Sequence, residues 1–243
     1  MEIFVYILLG LSSFFFVIVP MSGAVALNPL LSLVVEPHVA VGMAAFFFMV
    51  NSFVKMCVFH NDILFVYIRK MLPITVVMAI LGSYTISLIQ PRVLFVLIFL
   101  MSLYFLIKKI YEMLVVQKKP KDIHGPTIVF VSIISGFMQG TGLGAGGSLR
   151  KVYLLSENMS LQQVHGTTSL ISFIALIFAF LVRLKTDQLS IEMVVPILYL
   201  IPLIIISIVF GKKILKRLSK GVADILGLVT MILITVLLFI KLF

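Results

Sequence analysis

The chain has 243 residues, 62% hydrophobic and only 12% charged, with a mean hydropathy of +1.25 and a net charge of +10. Soluble domains carry roughly a quarter charged residues, so this composition excludes a water-soluble enzyme and leaves no room for a separate soluble domain. The cations fall between the apolar runs, where they orient a chain in a membrane rather than hold a nucleic acid.

In chain order, apolar segments fall at 3–19, 22–35, 38–59, 64–89, 92–116, 126–141, 146–156, 160–183, 190–210 and 221–241. Most approach the roughly 20 residues that cross a bilayer. They predict an all-α polytopic membrane protein of 8–10 hydrophobic segments. The first segment is preceded by Glu2 and by no Lys or Arg, which fits a retained span and not a cleaved signal. A single cysteine, Cys57, rules out an internal disulfide.

Two segments, 22–35 and 146–156, are too short to cross alone and read as half-helices or re-entrant pieces. Residues 126–156 as one helix would be about 45 Å long, against a hydrocarbon core of about 30 Å. That helix must break, and "SGFMQGTGLGAGGSLRK" (135–151) marks the place. Glycine repeats of this kind also serve close helix packing. Gly142, Gly144 and Gly147 spell a G-x-G-x-x-G, but it lacks the preceding strand and following acid of a dinucleotide site.

A shift of 124 residues lays Pro20 on Gly144, Gly23 on Gly147 and Gly42 on Gly166. The same plan then occurs twice, in a first repeat over 1–121 and a second over 122–243. Basic clusters at Lys108, Lys109, Lys118, Lys119 and Lys121, and at Lys212, Lys213, Lys216, Arg217 and Lys220, belong on the cytoplasmic side. An even number of crossings must separate them. Residues 126–156 therefore make either two half-length crossings or a hairpin returning to its own side. Each half has an odd net number of crossings, which predicts inverted halves, both termini outside, and a transporter plan.

Open backbone within a bilayer is tolerated where it is buried or lines a cavity. A helix starting at Gly146, Gly147 and Ser148 presents unpaired N–H groups that favour an anion. In the first half, Ser22, Gly23 and Asn28 are the counterparts. All nine acids lie at or near segment ends, which disfavours cation transport. Lys55 lies inside a span, four residues after Asn51 and on the same face. Arg150 and Lys151 follow the glycines. His165, Ser169 and Ser172 form a polar stripe on one helix face, with Gln162 adjoining.

With its glycine-rich "SGFMQGTGLGAGGS", the later "VHGTTS" and the degenerate first copy "PMSGAVALNPLL…VAVGMAAFFFMVNSF", the chain resembles the sulfite exporter (TauE/SafE) family over essentially its whole length. That resemblance implies outward transport of small sulfur-containing anions such as sulfite, sulfoacetate or other organosulfonates. It also implies family positions at Gly144, Gly146, Gly147, Gly166, Thr167 and Thr168, with Asn28, Pro29, Gly42 and Asn51 in the first half. The family pattern continues from the glycines with apolar residues into a proline, whereas this chain has Arg150, Lys151 and Tyr153.

The expected substrate site thus comprises Ser22, Gly23, Asn28, Asn51, Lys55, Gly144, Gly146, Gly147, Ser148, Arg150, Lys151, His165, Thr167, Thr168 and Ser169. No catalytic residue, metal or cofactor is expected. The expected partners are the anion and membrane lipid, without nucleic acid, and homo-oligomerisation is left open. The expected location is a bacterial or archaeal inner membrane. Two rivals remain: a membrane scaffold without transport, and an intramembrane hydrolase using His165 with Ser169, which lacks an orienting acid nearby in sequence.

Overall fold

The computed structural model describes Leu9 and residues 23–114, 127–143, 146–215 and 220–242. The basic residues Lys118, Lys119, Lys121, Lys216 and Arg217, the repeat boundary at 121, and all of the first segment except Leu9 lie outside the described residues. The described secondary structure is helical. It comprises α1 (Gly23–Ser32), α2 (Pro37–Val58), a 3-10 turn (His60–Asp62), α3 (Phe65–Ser87), α4 (Pro91–Leu114), α5 (Thr127–Thr141), α6 (Gly146–Ser156), α7 (Leu161–Lys185), α8 (Ile191–Leu198), α9 (Ile201–Leu215) and α10 (Lys220–Leu242).

Among these, α2, α3, α4, α7 and α10 carry stretches long and apolar enough to cross a membrane, and α8 with α9 makes a sixth if the two are joined. The chain is an integral membrane protein with multiple helical spans. Local signals set the helix starts. Pro37 and Pro91 occupy first positions, where a missing N–H costs no bond. Before α7, Ser160 Oγ accepts from Gln163 N and Gln163 Oε1 accepts from Ser160 N, a reciprocal capping box.

The segment expected as one plain span over 190–210 is bent by 47° between Leu198 and Ile201. Pro196 inside α8 and Pro202 at the second position of α9 each remove a backbone donor, so the ladder cannot continue straight.

Three helix pairs organise the molecule. Between α2 and α7 the ring pairs are Phe46–Phe180, Phe53–Phe173 and Phe59–His165, with centroids 5.0, 5.2 and 5.7 Å apart. As one number rises the other falls, so α2 and α7 run antiparallel. The same holds for α4 and α10, where Phe99 meets Phe239 and Ser102 shares a 2.9 Å hydrogen bond with Thr235. By contrast, α3 and α5 run parallel, with Thr75 against Gly136 and Ala79 against Gly140. A Cβ at Gly136 would lie 2.6 Å from Thr75 O, and one at Gly140 would overlap the Ala79 carbonyl. These glycines therefore serve close packing.

The break falls between α5 and α6. Gly142 ends α5 in the left-handed region, with φ of +75°, the usual glycine exit from a helix. The chain then doubles back. Gly146 packs against Ser135 and Gln139, and Tyr153 joins Val131 in one buried cluster with Ile68, Met71, Leu154, Val164 and Ile171. Of the two alternatives for residues 126–156, the described helices take the hairpin.

Candidate functional site

The hairpin tip is held from two directions. Asn28 Nδ2 of α1 donates to Gly142 O, and Arg183 Nη2 of α7 donates to Gly140 O at 2.8 Å. Carbonyls at the end of α5 that no longer have a helical partner are thus satisfied, and the cation suits the negative end of the helix dipole.

Lower on the hairpin, Arg150 is fully buried. Its Nη2 donates to Gln139 Oε1 and, at 2.7 Å, to Ser172 Oγ, while Gln139 Nε2 donates to Ser172 O at 3.1 Å. One side chain thereby ties α5, α6 and α7 together. Its Nε and Nη1 remain without a partner. Ser172, one member of the polar stripe on α7, thus bonds to the hairpin.

Lys55 of α2, Lys151 of α6 and His165 of α7 are each half-buried and lie within electrostatic range of one another, with Arg150 in range of Lys151. Among the described residues, no carboxylate forms a salt bridge with any of these four. Glu157, the acid nearest in sequence to Arg150, Lys151 and His165, accepts from Tyr67 OH at 3.3 Å. Lys151 stands one helical turn beyond Gly147, on the same face. A Cβ at Gly147 would meet nothing within 4 Å. The first turn of α6 therefore has open space beside Gly147, one turn from Lys151.

Not every expected residue joins this cluster. Thr167 Oγ1 accepts from Leu64 N at 3.0 Å, ordering the entry to α3. Thr168 donates back to Val164 O at 2.5 Å within its own helix. Gly146 is a packing contact, whereas Ser148 is half-buried beside Gly147. Asn28 caps the hairpin tip. Asn51 and Ser169 are buried, and Asn51 Oδ1 has no partner. Gly23 begins α1, while Ser22 and Gly144 lie outside the described residues. His165 stacks on Phe59, and no hydrogen bond joins it to Ser169. No group of three or more metal-ligating side chains occurs among the described residues.

Sequence reading passed over Arg183. It stands at the end of the apolar segment 160–183 and is fully buried. The available signal was its spacing of 18 residues from His165, five full helical turns.

A comparison with protein families matches residues 5–238 to the family described as Sulfite exporter TauE/SafE. Neither the curated proteins nor the solved structures give a match.

Proposed function

The chain belongs to the sulfite exporter TauE/SafE family, a family of membrane transporters and not of enzymes, and on that premise we propose that it exports a small sulfur-containing anion such as sulfite, sulfoacetate or another organosulfonate. The anion sits beside the first turn of α6, contacted by its amides and by Lys55 and Lys151. One observation carries this reading. Lys55 of α2 and Lys151 of α6 lie within electrostatic range of each other and of the His165 imidazole of α7, a Cβ at Gly147, one turn before Lys151, would meet nothing within 4 Å, and no carboxylate among the described residues pairs with either lysine. Uncompensated charge in a region of low dielectric favours an anionic occupant.

Inverted halves complete the proposal. Moved by 124 residues, α1 falls on 147–156 and α2 on 161–182, against the observed α6 (Gly146–Ser156) and α7 (Leu161–Lys185). The helices α2 and α7 are thus counterparts, as are α4 and α10, and each pair packs antiparallel. Opposite directions for equivalent helices support an inverted relation, with the site at the repeat interface.

Thermal unfolding of the purified full chain across sulfite, sulfoacetate, thiosulfate, taurine, sulfate and chloride tests the substrate. A ligand that binds only the folded state raises its stability. The expected result is a selective rise with one sulfur anion, lost in Lys55→Ala while that variant keeps its ligand-free melting temperature. A flat response from folded wild-type protein, or an unchanged rise in Lys55→Ala, overturns the assignment.

A further inference from the structure

Arg183 stands apart from the basic cluster and has an unusual bonding state. Its side chain is fully buried, one N–H donates to Gly140 O, and both Nε and Nη1 lack a partner. No carboxylate among the described residues pairs with it. Two neighbours are also incompletely bonded. Gln188, whose backbone N–H donates to Arg183 O at 3.1 Å, buries a side-chain amide with neither end partnered. Asn28, bonded to the adjacent Gly142 carbonyl, keeps a buried Oδ1 without a donor.

A guanidinium has five N–H donors. Capping one carbonyl at the end of α5 uses Nη2 and offsets part of its charge through the helix dipole. It leaves Nε and Nη1, which carry three N–H donors between them, without a protein acceptor. Removed from water and without a counterion, such a group is strongly unfavourable. A small oxyanion supplies the missing charge and acceptors, and the fork geometry of arginine matches it.

The position of Arg183 gives the site a direction. His165, Ser172 and Arg183 share one face of α7, and Arg150 joins that face through Ser172. Basic groups therefore stand at three levels along the helix, the second about 10 Å and the third about 27 Å from the first at 1.5 Å per residue. We propose that Arg183, with Gln188, forms a second anion-binding station at the tip of the α5–α6 hairpin, and that the anion's path follows this face of α7 from the Lys55–Lys151–His165 cluster. The path rests on the transport reading above. Binding at Arg183 does not.

Selenite, a pyramidal oxyanion analogous to sulfite and visible by anomalous scattering, is the probe. Crystals of the full chain grown with selenite should show selenium within hydrogen-bonding reach of Arg183 Nε or Nη1. The peak should vanish in Arg183→Gln, which keeps a donor for Gly140 O. Absence of selenium at Arg183 in wild type overturns the station, wherever else it binds. Selenium at Arg183 but not at the Lys55–Lys151 cluster sinks the proposed substrate site and leaves the station standing. Sulfite efflux from proteoliposomes then tests the path. Arg183→Gln should slow efflux by about tenfold, the factor of one lost charge-assisted hydrogen bond, while Arg183→Lys retains more and both melt as wild type does. Selenium at Arg183 with wild-type efflux in Arg183→Gln means an adventitious ion only, and overturns the path.

Discussion

A methyl group added at Gly140 would overlap the carbonyl of Ala79, whereas one added at Gly147 would meet no heavy atom within 4 Å. The same substitution at two glycines seven residues apart should therefore have opposite consequences. Gly140→Ala forces α3 and α5 apart where the Ala79 backbone cannot give way, and should cost about 1–3 kcal/mol of stability. Gly147→Ala should leave the melting temperature unchanged or slightly raised, since alanine is the better helix former by up to about 1 kcal/mol. If the anion occupies the open space, the Gly147 variant should nevertheless weaken its binding. Melting curves of both variants, with and without the stabilising anion, separate the roles. Wild-type anion stabilisation in Gly147→Ala would count against that position for the anion.

The α5–α6 hairpin is the element on which these residues depend. Its turn combines the positive φ of Gly142 with a side chain from the other half, Asn28, on the Gly142 carbonyl. Asn28→Ala removes the only side-chain bond recorded for that carbonyl among the described residues. It should lower stability by about 1–3 kcal/mol, the cost of a buried polar group left unsatisfied. A melting temperature equal to wild type would mean that Asn28 does not hold the tip. The break itself was legible in the sequence because a helix of that length does not fit a bilayer core and the glycines mark one place. What they each do was not legible. Gly136 and Gly140 pack, Gly142 turns and Gly147 leaves space, and only the neighbouring helix distinguishes them. The bend after Leu198 was not legible for a different reason. Pro196 and Pro202 sit in a run so apolar that hydropathy outweighed their missing donors. Lys55, Lys151 and His165 were each visible as polar groups in or beside spans, but their approach to one another depends on α2 and α6 both packing on α7.

At the scale of the whole molecule, the proposed inverted plan predicts which loops share a side of the membrane. Since α2 and α7 run antiparallel, Glu36 before α2 lies toward the same end as Lys185 at the close of α7, and Asn61 after α2 lies with Gln162 at the start of α7. All four side chains are exposed. A parallel repeat would instead pair Glu36 with Gln162, because the 124-residue shift carries residue 36 to residue 160. Single cysteines at these four positions, in a Cys57→Ser background because Cys57 is itself exposed, distinguish the plans by reaction with a membrane-impermeant maleimide. Asn61→Cys and Gln162→Cys should label together from the side that carries Arg69 and Lys70, which positive charge assigns to the cytoplasm. Glu36→Cys and Lys185→Cys should label from the opposite face. Labelling of Glu36→Cys and Gln162→Cys from one side would remove the inverted repeat. It would also remove the support for a substrate site at the repeat interface.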